Sequence, residues 1–418
     1  MTLKELKENI QKFQYMEDSS IIDVALASIL CTSLSIGKPI WLVIIGKSSG
    51  GKTQILTPLA MTNEAFIHSV DDITGNTFLS GAKVGVGKSA SFLDRVGKRG
   101  IIVISDLTVL FSKEATERAI ILGALRVISD GKYQKYVGNN PKPLVWKGDL
   151  GMLAGSTPAL YPSFEEFSGM GERFLYFRMR EFDAEKATML AMEQEIYGEE
   201  LNIILSGYYK EYITSIIEYK TNNEVDLTLS EDVNKRIIKI AILAEKIRTT
   251  AHTDWQKVVD RLPIPAMPMR IAKMLRSLAK TLLLMRKFEK VEFSIEDMKI
   301  VDWCGWSLSN EEKRACLRIL AGRDYGNWIK TQTVADLIGL DTTVIRILLQ
   351  NLSAIGVLSR SGDSGSLMWK IADRGDWELI REIEGITESV EIAERDLSLE
   401  EEGIDIDVKG MFGENNNN

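Results

Sequence analysis

The chain has 418 residues, 51 Lys and Arg against 59 Asp and Glu, and 45% hydrophobic residues, enough to bury the cores of two or three domains. No stretch reaches the length of an uninterrupted apolar membrane span, and the charged amphipathic start over residues 1–9 is not a signal sequence, so a soluble cytoplasmic protein without membrane partners is expected. Cys31, Cys304 and Cys316 lack metal-type spacing, and with only His68 and His252 to add, a zinc site is excluded and buried thiols are expected. The net charge of −8 is local: from Glu388 onward ten acids face Arg395 and Lys409, so residues 1–387 hold 49 charges of each sign. Such a neutral body neither advertises nor excludes a polyanion, and residues 386–418, ending in Asn415 to Asn418, have the composition of a disordered acidic tail.

Apolar positions at helical spacing (Leu3, Leu6, Ile10, Phe13; Ile21, Val24, Ala25, Leu30) predict helices over 3–14 and 20–36, a lead-in occupying residues 1–39. An apolar strand at 40–45 then runs into Gly46-x-x-x-x-Gly51-Lys52-Thr53, the full pattern of a phosphate-binding P-loop. Each part has a physical purpose. The turn built by Gly46, Ser48, Ser49, Gly50 and Gly51 aims amide hydrogens at phosphates, Lys52 adds a point charge, Thr53 ligates Mg²⁺, and Gln54 opens the helix beyond. A nucleoside triphosphate with Mg²⁺ is therefore the expected ligand. The similar Gly81-x5-Gly87-Lys88-Ser89 has one residue too many and no strand before it, and reads as a flexible loop.

Short apolar strands at 65–70, 100–104 and 151–154 alternate with helices, one at 115–128, which predicts an α/β core with a parallel sheet over residues 40–182. Long helical stretches without strands follow at 184–214, 230–249, 268–287 and 295–321, an all-helical segment spanning 183–322. Residues 323–385 read as a winged helix: a helix from Thr333, a turn, a second helix at 342–354 capped by Asp341 with Val344, Ile345, Leu348, Leu349 and Leu352 on its apolar face, then a hairpin of 356–360 and 367–371. Thr342, Thr343, Arg346, Gln350 and Arg360 are its potential DNA contacts, although the second helix is poor in positive charge and a docking role fits as well.

Asp106, closing the strand before it, is the acid a P-loop enzyme needs for its magnesium shell or attacking water. The usual pair of adjacent acids is replaced here by Ser105 before and Leu107 after, so either Asp106 is the base or it holds the metal and the base lies elsewhere, Asp71 and Asp72 being the nearest alternatives. Residues 132–147 read as a hairpin with Lys132, Lys135, Lys142 and Lys147 interleaved with Tyr133, Tyr136 and Trp146 around a turn at 138–142. Lysines that meet phosphate beside aromatics that stack on bases make a nucleic-acid grip; the plain alternative is a hairpin packed on the core with snorkelling lysines.

The ordered set GKSSGGKT, IIVISDLT, LRVISDGKYQKYVG, WKGDLGMLAGSTPAL and MGERFLYFRM, followed by the helical segment and the winged helix, resembles the P-loop ATPases of phages and mobile elements. Those are similar to AAA+ replicative helicases of the minichromosome-maintenance type. The resemblance spans most of residues 40–385 and implies a helical lid, a homo-oligomeric ring (a hexamer), DNA as track, a hairpin projecting into the channel, and a bacterial host cytoplasm. It further implies that Ser156 or Thr157 is the sensor 1 hydroxyl, Arg173 the arginine finger offered to a neighbour's γ-phosphate, and Arg270 a sensor 2 in the first turn of a lid helix. Solvated arginines are the plain alternative for the last two. A ring-forming DNA helicase is thus expected, with a replication-protein partner for the tail; a helicase loader or initiator, or a nucleotide-gated DNA-binding protein with little hydrolysis, are the alternatives.

Overall fold

The computed structural model describes residues 1–80, 83–84, 88–89, 91–136, 142–163, 172–180, 183–251, 261, 263–362 and 366–387. Residues 138–141 of the expected turn at 138–142, the start of the Arg173 motif at 168–171, His252, residues 363–365 of the expected hairpin turn and the expected acidic tail from Glu388 lie outside the described residues. The chain divides into two compact units, Met1–Ile242 with Met267–Leu308, and Leu243–Ala266 with Ser309–Asn418.

In the first unit, α1 (Leu3–Gln11) opens on a reciprocal capping box between Thr2 and Glu5, and α2 (Ser20–Ser33) is buried over nearly its whole circumference. The core is a five-stranded sheet of β1 (Trp41–Ile45), β2 (Ile67–Ser69), β5 (Arg99–Ile104), β8 (Asp149–Ser156) and β9 (Leu175–Arg178) in the order β2-β5-β8-β1-β9, with every pairing parallel. A parallel sheet is covered on both faces, which is why β1 reads Trp-Leu-Val-Ile-Ile and is buried throughout. The Trp41 indole donates to the Leu150 carbonyl at 2.6 Å, and Gly151 lets α2 close on the sheet, since a Cβ there would stand 2.5 Å from Thr32 Oγ1. The glycine-rich stretch is not loop throughout: β3 (Lys83–Val84) and β4 (Lys88–Ser89) form a short antiparallel pair. A two-residue strand carries no period that a sequence reading could detect.

Helices α3 (Lys52–Ala60), α4 (Phe92–Val96), α5 (Thr108–Phe111) and α6 (Ala115–Ile128) connect these strands, and β6 (Lys132–Lys135) pairs antiparallel with β7 (Leu144–Lys147). Two of the four long helices expected beyond residue 183 are broken. The first stops at Gln194 and resumes as Glu200–Asn222, with Gly198 between them at φ 49°, and the last divides into Ile295–Trp306 and Glu311–Ala321, the second piece starting where Asn310 accepts the Lys313 amide at 3.1 Å.

The second unit holds Glu311–Ala321, Thr331–Ile338, Thr342–Ala354, Arg374–Glu384 and a three-stranded sheet in the order β10-β12-β11, of β10 (Ile329–Lys330), β11 (Leu358–Ser361) and β12 (Met368–Ile371). Asp341 caps the helix that follows it, accepting from the Thr343 amide at 2.8 Å. Ile345, Leu349 and Leu352 form that helix's buried face, while Val344 is 45% exposed and so points away from it. The Trp369 indole bonds to Thr331 Oγ1 at 2.8 Å and joins the sheet to the preceding helix. Cys31, Cys304 and Cys316 are buried, and burial pushes the Cys31 thiol up to about 11. Among the described residues no helix is long and apolar enough to cross a membrane.

Candidate active site

Three adjacent parallel strands end together. Ile45 of β1 stands opposite Ser156 of β8, and Ile104 of β5 opposite Ala154, so two residues further along Asp106 falls level with Ser156 and with the loop that begins at Gly46. Backbone bonds hold this alignment, from Gly46 N to Ser156 O at 3.1 Å and from Leu107 N to Gly155 O at 2.7 Å. Gly155 is what permits it, because a Cβ there would meet the Ser105 carbonyl oxygen at 2.5 Å.

The loop turns through Ser49 at φ 60° and Gly51 at φ 82°, the left-handed region that glycine occupies without strain, and α3 begins at Lys52. Ser48, Ser49, Thr53 and Gln54 are exposed, whereas Gly46 and Gly50 are buried. The Lys52 ammonium is buried and donates to the carbonyl oxygens of Gly46 (2.7 Å) and Lys47 (2.6 Å). Burial lowers its pKa, and the charge of Asp106 opposes that shift, which places the carboxylate in electrostatic reach of the ammonium. Asp106 is exposed, and its Oδ1 accepts from the Thr108 amide (2.9 Å) and hydroxyl (2.6 Å). Leu107 beside it is 1% exposed and fills the core, so no second acid stands there. Asp71 and Asp72 are exposed, and Asp72 pairs with Lys113 at 2.8 Å. Of the two expected hydroxyls, Ser156 is fully buried and Thr157 half-buried, so Thr157 is the one with surface to offer. The hydroxyl of Thr53 and the carboxylate of Asp106 are hard oxygen donors of the kind Mg²⁺ selects, and the group fits the residues present.

Arg173 and Arg270 occupy a different place. Leu175 pairs with Leu42, so Arg173, two residues ahead of it, lies level with Ile40 at the amino end of the sheet, about 20 Å along the strand direction from Gly46. Arg173 is 6% exposed; its Nε donates to the Arg126 carbonyl and its Nη2 to Asp130 Oδ2, both at 3.0 Å. Burial lowers its pKa and Asp130 acts against that. Arg270 Nη2 stands 3.9 Å from the other oxygen of Asp130, so the two arginines share one carboxylate, and Arg270 is grouped with Arg173 rather than with Lys52 and Asp106.

The β6–β7 hairpin sorts its residues by face. Lys132 and Lys147 are exposed and directly opposite one another, with Lys142 exposed nearby and Tyr136 70% exposed at the end of β6. Tyr133 turns inward, its ring edge-on to Phe78 at 6.5 Å, and Trp146 is buried with its indole donating to the Gly97 carbonyl at 2.6 Å. Lys135 is tied down to the Gly75 carbonyl (3.0 Å) and Asn76 Oδ1 (2.8 Å). Tyr133 and Lys135 therefore belong to the hairpin's anchorage and not to its exposed basic face. In the second unit Thr343, Arg346 and Arg360 are exposed, and the Thr342 hydroxyl is bonded to Gln332 Oε1 at 2.9 Å.

One residue at the loop gave no signal in the sequence. Gln14, just beyond α1, is 4% exposed and donates from Nε2 to the Gly51 carbonyl at 2.9 Å. A single glutamine after a helix has no spacing to mark it. Neither a protein-family model nor a curated protein matches the chain.

Proposed function

We propose that the chain is an ATPase of the AAA+ type that assembles into a ring and moves along DNA, unwinding it during replication. The observation that carries this reading is the convergence of Lys52, Thr53, Asp106 and Thr157 at the carboxyl ends of three neighbouring parallel strands. In this reading the loop amides and Lys52 hold the β- and γ-phosphates, Thr53 and Asp106 take part in the Mg²⁺ shell, and Thr157 orients the attacking water. Mg²⁺ held by Thr53 and Asp106 would neutralise negative charge on the β- and γ-phosphates. Arg173 and Arg270, about a sheet's length from their own chain's loop, are suited to a neighbouring subunit's phosphate, released from Asp130 as subunits dock. Residues 183–322 act as the lid, residues 323–385 as a winged helix, and the exposed lysines of β6–β7 as the DNA grip. A bacterial cytoplasm suits such an activity.

The test is mixing. Lys52→Ala and Arg173→Ala subunits, each expected to lack turnover, should together recover DNA-stimulated ATP hydrolysis at hybrid interfaces, and Arg270→Ala should do the same if Arg173→Ala folds poorly. No recovery at any ratio, with turnover per chain independent of protein concentration, would remove the shared site. Strand displacement on a forked duplex separates a helicase from a loader. A second reading, a nucleotide-gated binding protein, draws on buried Leu107 standing where a second acid would be; it predicts tight ATP binding with negligible turnover.

A further inference from the structure

We propose that Gln14 reads the base of the nucleotide, its side-chain oxygen accepting a hydrogen bond from the exocyclic 6-amino group of adenine. This rests on the reading of the P-loop as a nucleoside triphosphate site.

The side chain is almost wholly buried, and only half of its amide is used. Nε2 is bonded to the Gly51 carbonyl, whereas Oε1 is buried with no hydrogen-bond partner. A buried acceptor left unmet costs stability, so a ligand that supplies the missing donor gains by meeting it. The two heteroatoms share one carbon, which keeps Oε1 within roughly 5.5 Å of the Gly51 carbonyl oxygen. The unmet acceptor therefore lies beside the loop.

The position is held from several directions. The Gln14 backbone N–H donates to the Ile10 carbonyl at 3.0 Å, Gln11 Nε2 reaches over to the Met16 carbonyl at 3.1 Å, and the Phe13 ring stands edge-on to Tyr197 at 5.6 Å. Gly51 has to remain glycine for a reason besides its φ of 82°: a Cβ there would lie 2.6 Å from Gln14 Nε2. Gln54 Oε1 is 3.7 Å from the same Cβ position, so two side-chain amides stand near the residue immediately before Lys52.

The ligand's own chemistry narrows what Oε1 can meet. Phosphate oxygens only accept, so an acceptor at the edge of a phosphate loop cannot serve them; the donors on a nucleoside triphosphate are on its base and its ribose. Adenine carries an amine at the 6-position, where hypoxanthine and guanine carry a carbonyl oxygen that would stand acceptor to acceptor against Gln14. Discrimination by a polar group left unpaired against the wrong substrate is the stronger kind.

ATP and ITP differ at the 6-position, amine against carbonyl, and at the adjacent N1, bare acceptor against N–H, so the experiment is calorimetric titration of the full chain with each nucleotide and Mg²⁺, together with purine riboside triphosphate, which lacks the amine, keeps N1 bare, and should bind like ITP. Wild-type protein is expected to favour ATP by roughly tenfold to a hundredfold. Gln14→Met, similar in length but lacking the amide, and Gln14→Ala should both bring the ratio near one, mainly through weaker ATP binding. Equal affinities of wild-type protein for ATP and ITP would overturn the proposal, as would a Gln14→Met loss of the same size for both nucleotides, which would point to the ribose or to the loop's stiffness. Lys52→Ala distinguishes the two levels: if it abolishes binding of both nucleotides while the wild-type ratio is one, the P-loop reading stands and only the role of Gln14 falls. Wild-type protein that binds neither nucleotide removes both.

Discussion

His68 sits in β2 with its ring edge-on to Phe92 at 5.6 Å and its Nε2 buried without a partner. Burial, reinforced by the charge of Arg95, lowers its pKa from the ordinary 6.5, so the native state holds the ring neutral while an unfolded chain takes up a proton near that value. Stability contributed by the neutral ring is complete above about pH 6.5 and declines as the pH falls from there to the lower native value, where the loss levels off. Thermal melts from neutral pH down to about pH 5 should therefore show His68→Phe losing less stability than wild-type protein over that interval; parallel declines would show that the ring is free to protonate in place. The chemistry at the P-loop was readable at this same scale because each residue belongs to a spaced pattern: Lys52 and Thr53 follow Gly51, and Asp106 follows an apolar run. Gln14 was not readable, since it meets Gly51 across 37 positions and no local rule links a glutamine to a loop so distant.

At the scale of elements, the hairpin of β6 and β7 divides the lysines that the sequence offered together. Lys132 and Lys147 face each other directly on the exposed side, an arrangement that costs stability unless an anion lies between them. Lys135 instead closes onto the 75–76 segment. Removing the opposed pair, Lys132→Ala with Lys147→Ala, is expected to leave the protein as stable or slightly more so, and to reduce the slope of log affinity for single-stranded DNA against log salt by about 1.4, near 0.7 per phosphate contact. Lys135→Ala should lower stability by about 1 kcal/mol and leave the slope unchanged. Anisotropy titrations across a salt series measure both, and an unchanged slope in the double variant would return the hairpin to a purely structural role. The alternation of exposed and inward residues was legible in Lys132 to Lys135, but which alternate set faced outward depended on Phe78 and Gly97, brought in from other elements. Likewise β1, β5 and β8 announced themselves as apolar runs, whereas the break in the last long helix arose from a cap at Asn310, inside a stretch whose apolar spacing continues on both sides.

At the scale of the whole first unit, the N-terminal helices are joined to the helices of residues 267–308 by charge as well as by packing. Arg286 donates to Asp23 of α2 at 2.9 Å and to Asp297 of the helix Ile295–Trp306 at 2.8 Å, and both carboxylates are fully buried. Lys7 of α1 also pairs with Asp23, and the Leu3 amide donates to Glu289. Burial works against the Arg286 charge, yet Asp297 and Asp23 outweigh it and hold the guanidinium above its ordinary pKa. No pattern in the sequence joins positions 263 residues apart, which is why the lead-in was legible as helices but not as part of the unit that carries the P-loop, into which it is fastened. Arg286→Met keeps most of the volume but leaves two buried carboxylates facing each other, and it should lower the unfolding free energy by about 3–5 kcal/mol. Lys4→Ala, which removes the exposed Lys4–Glu8 pair on α1, should change it by less than about 0.5 kcal/mol. Denaturant titration of the two variants decides the matter: a loss of under about 1 kcal/mol in Arg286→Met would mean that solvent reaches Asp23 and Asp297, and that apolar packing alone holds α2 against the helix Met269–Phe288.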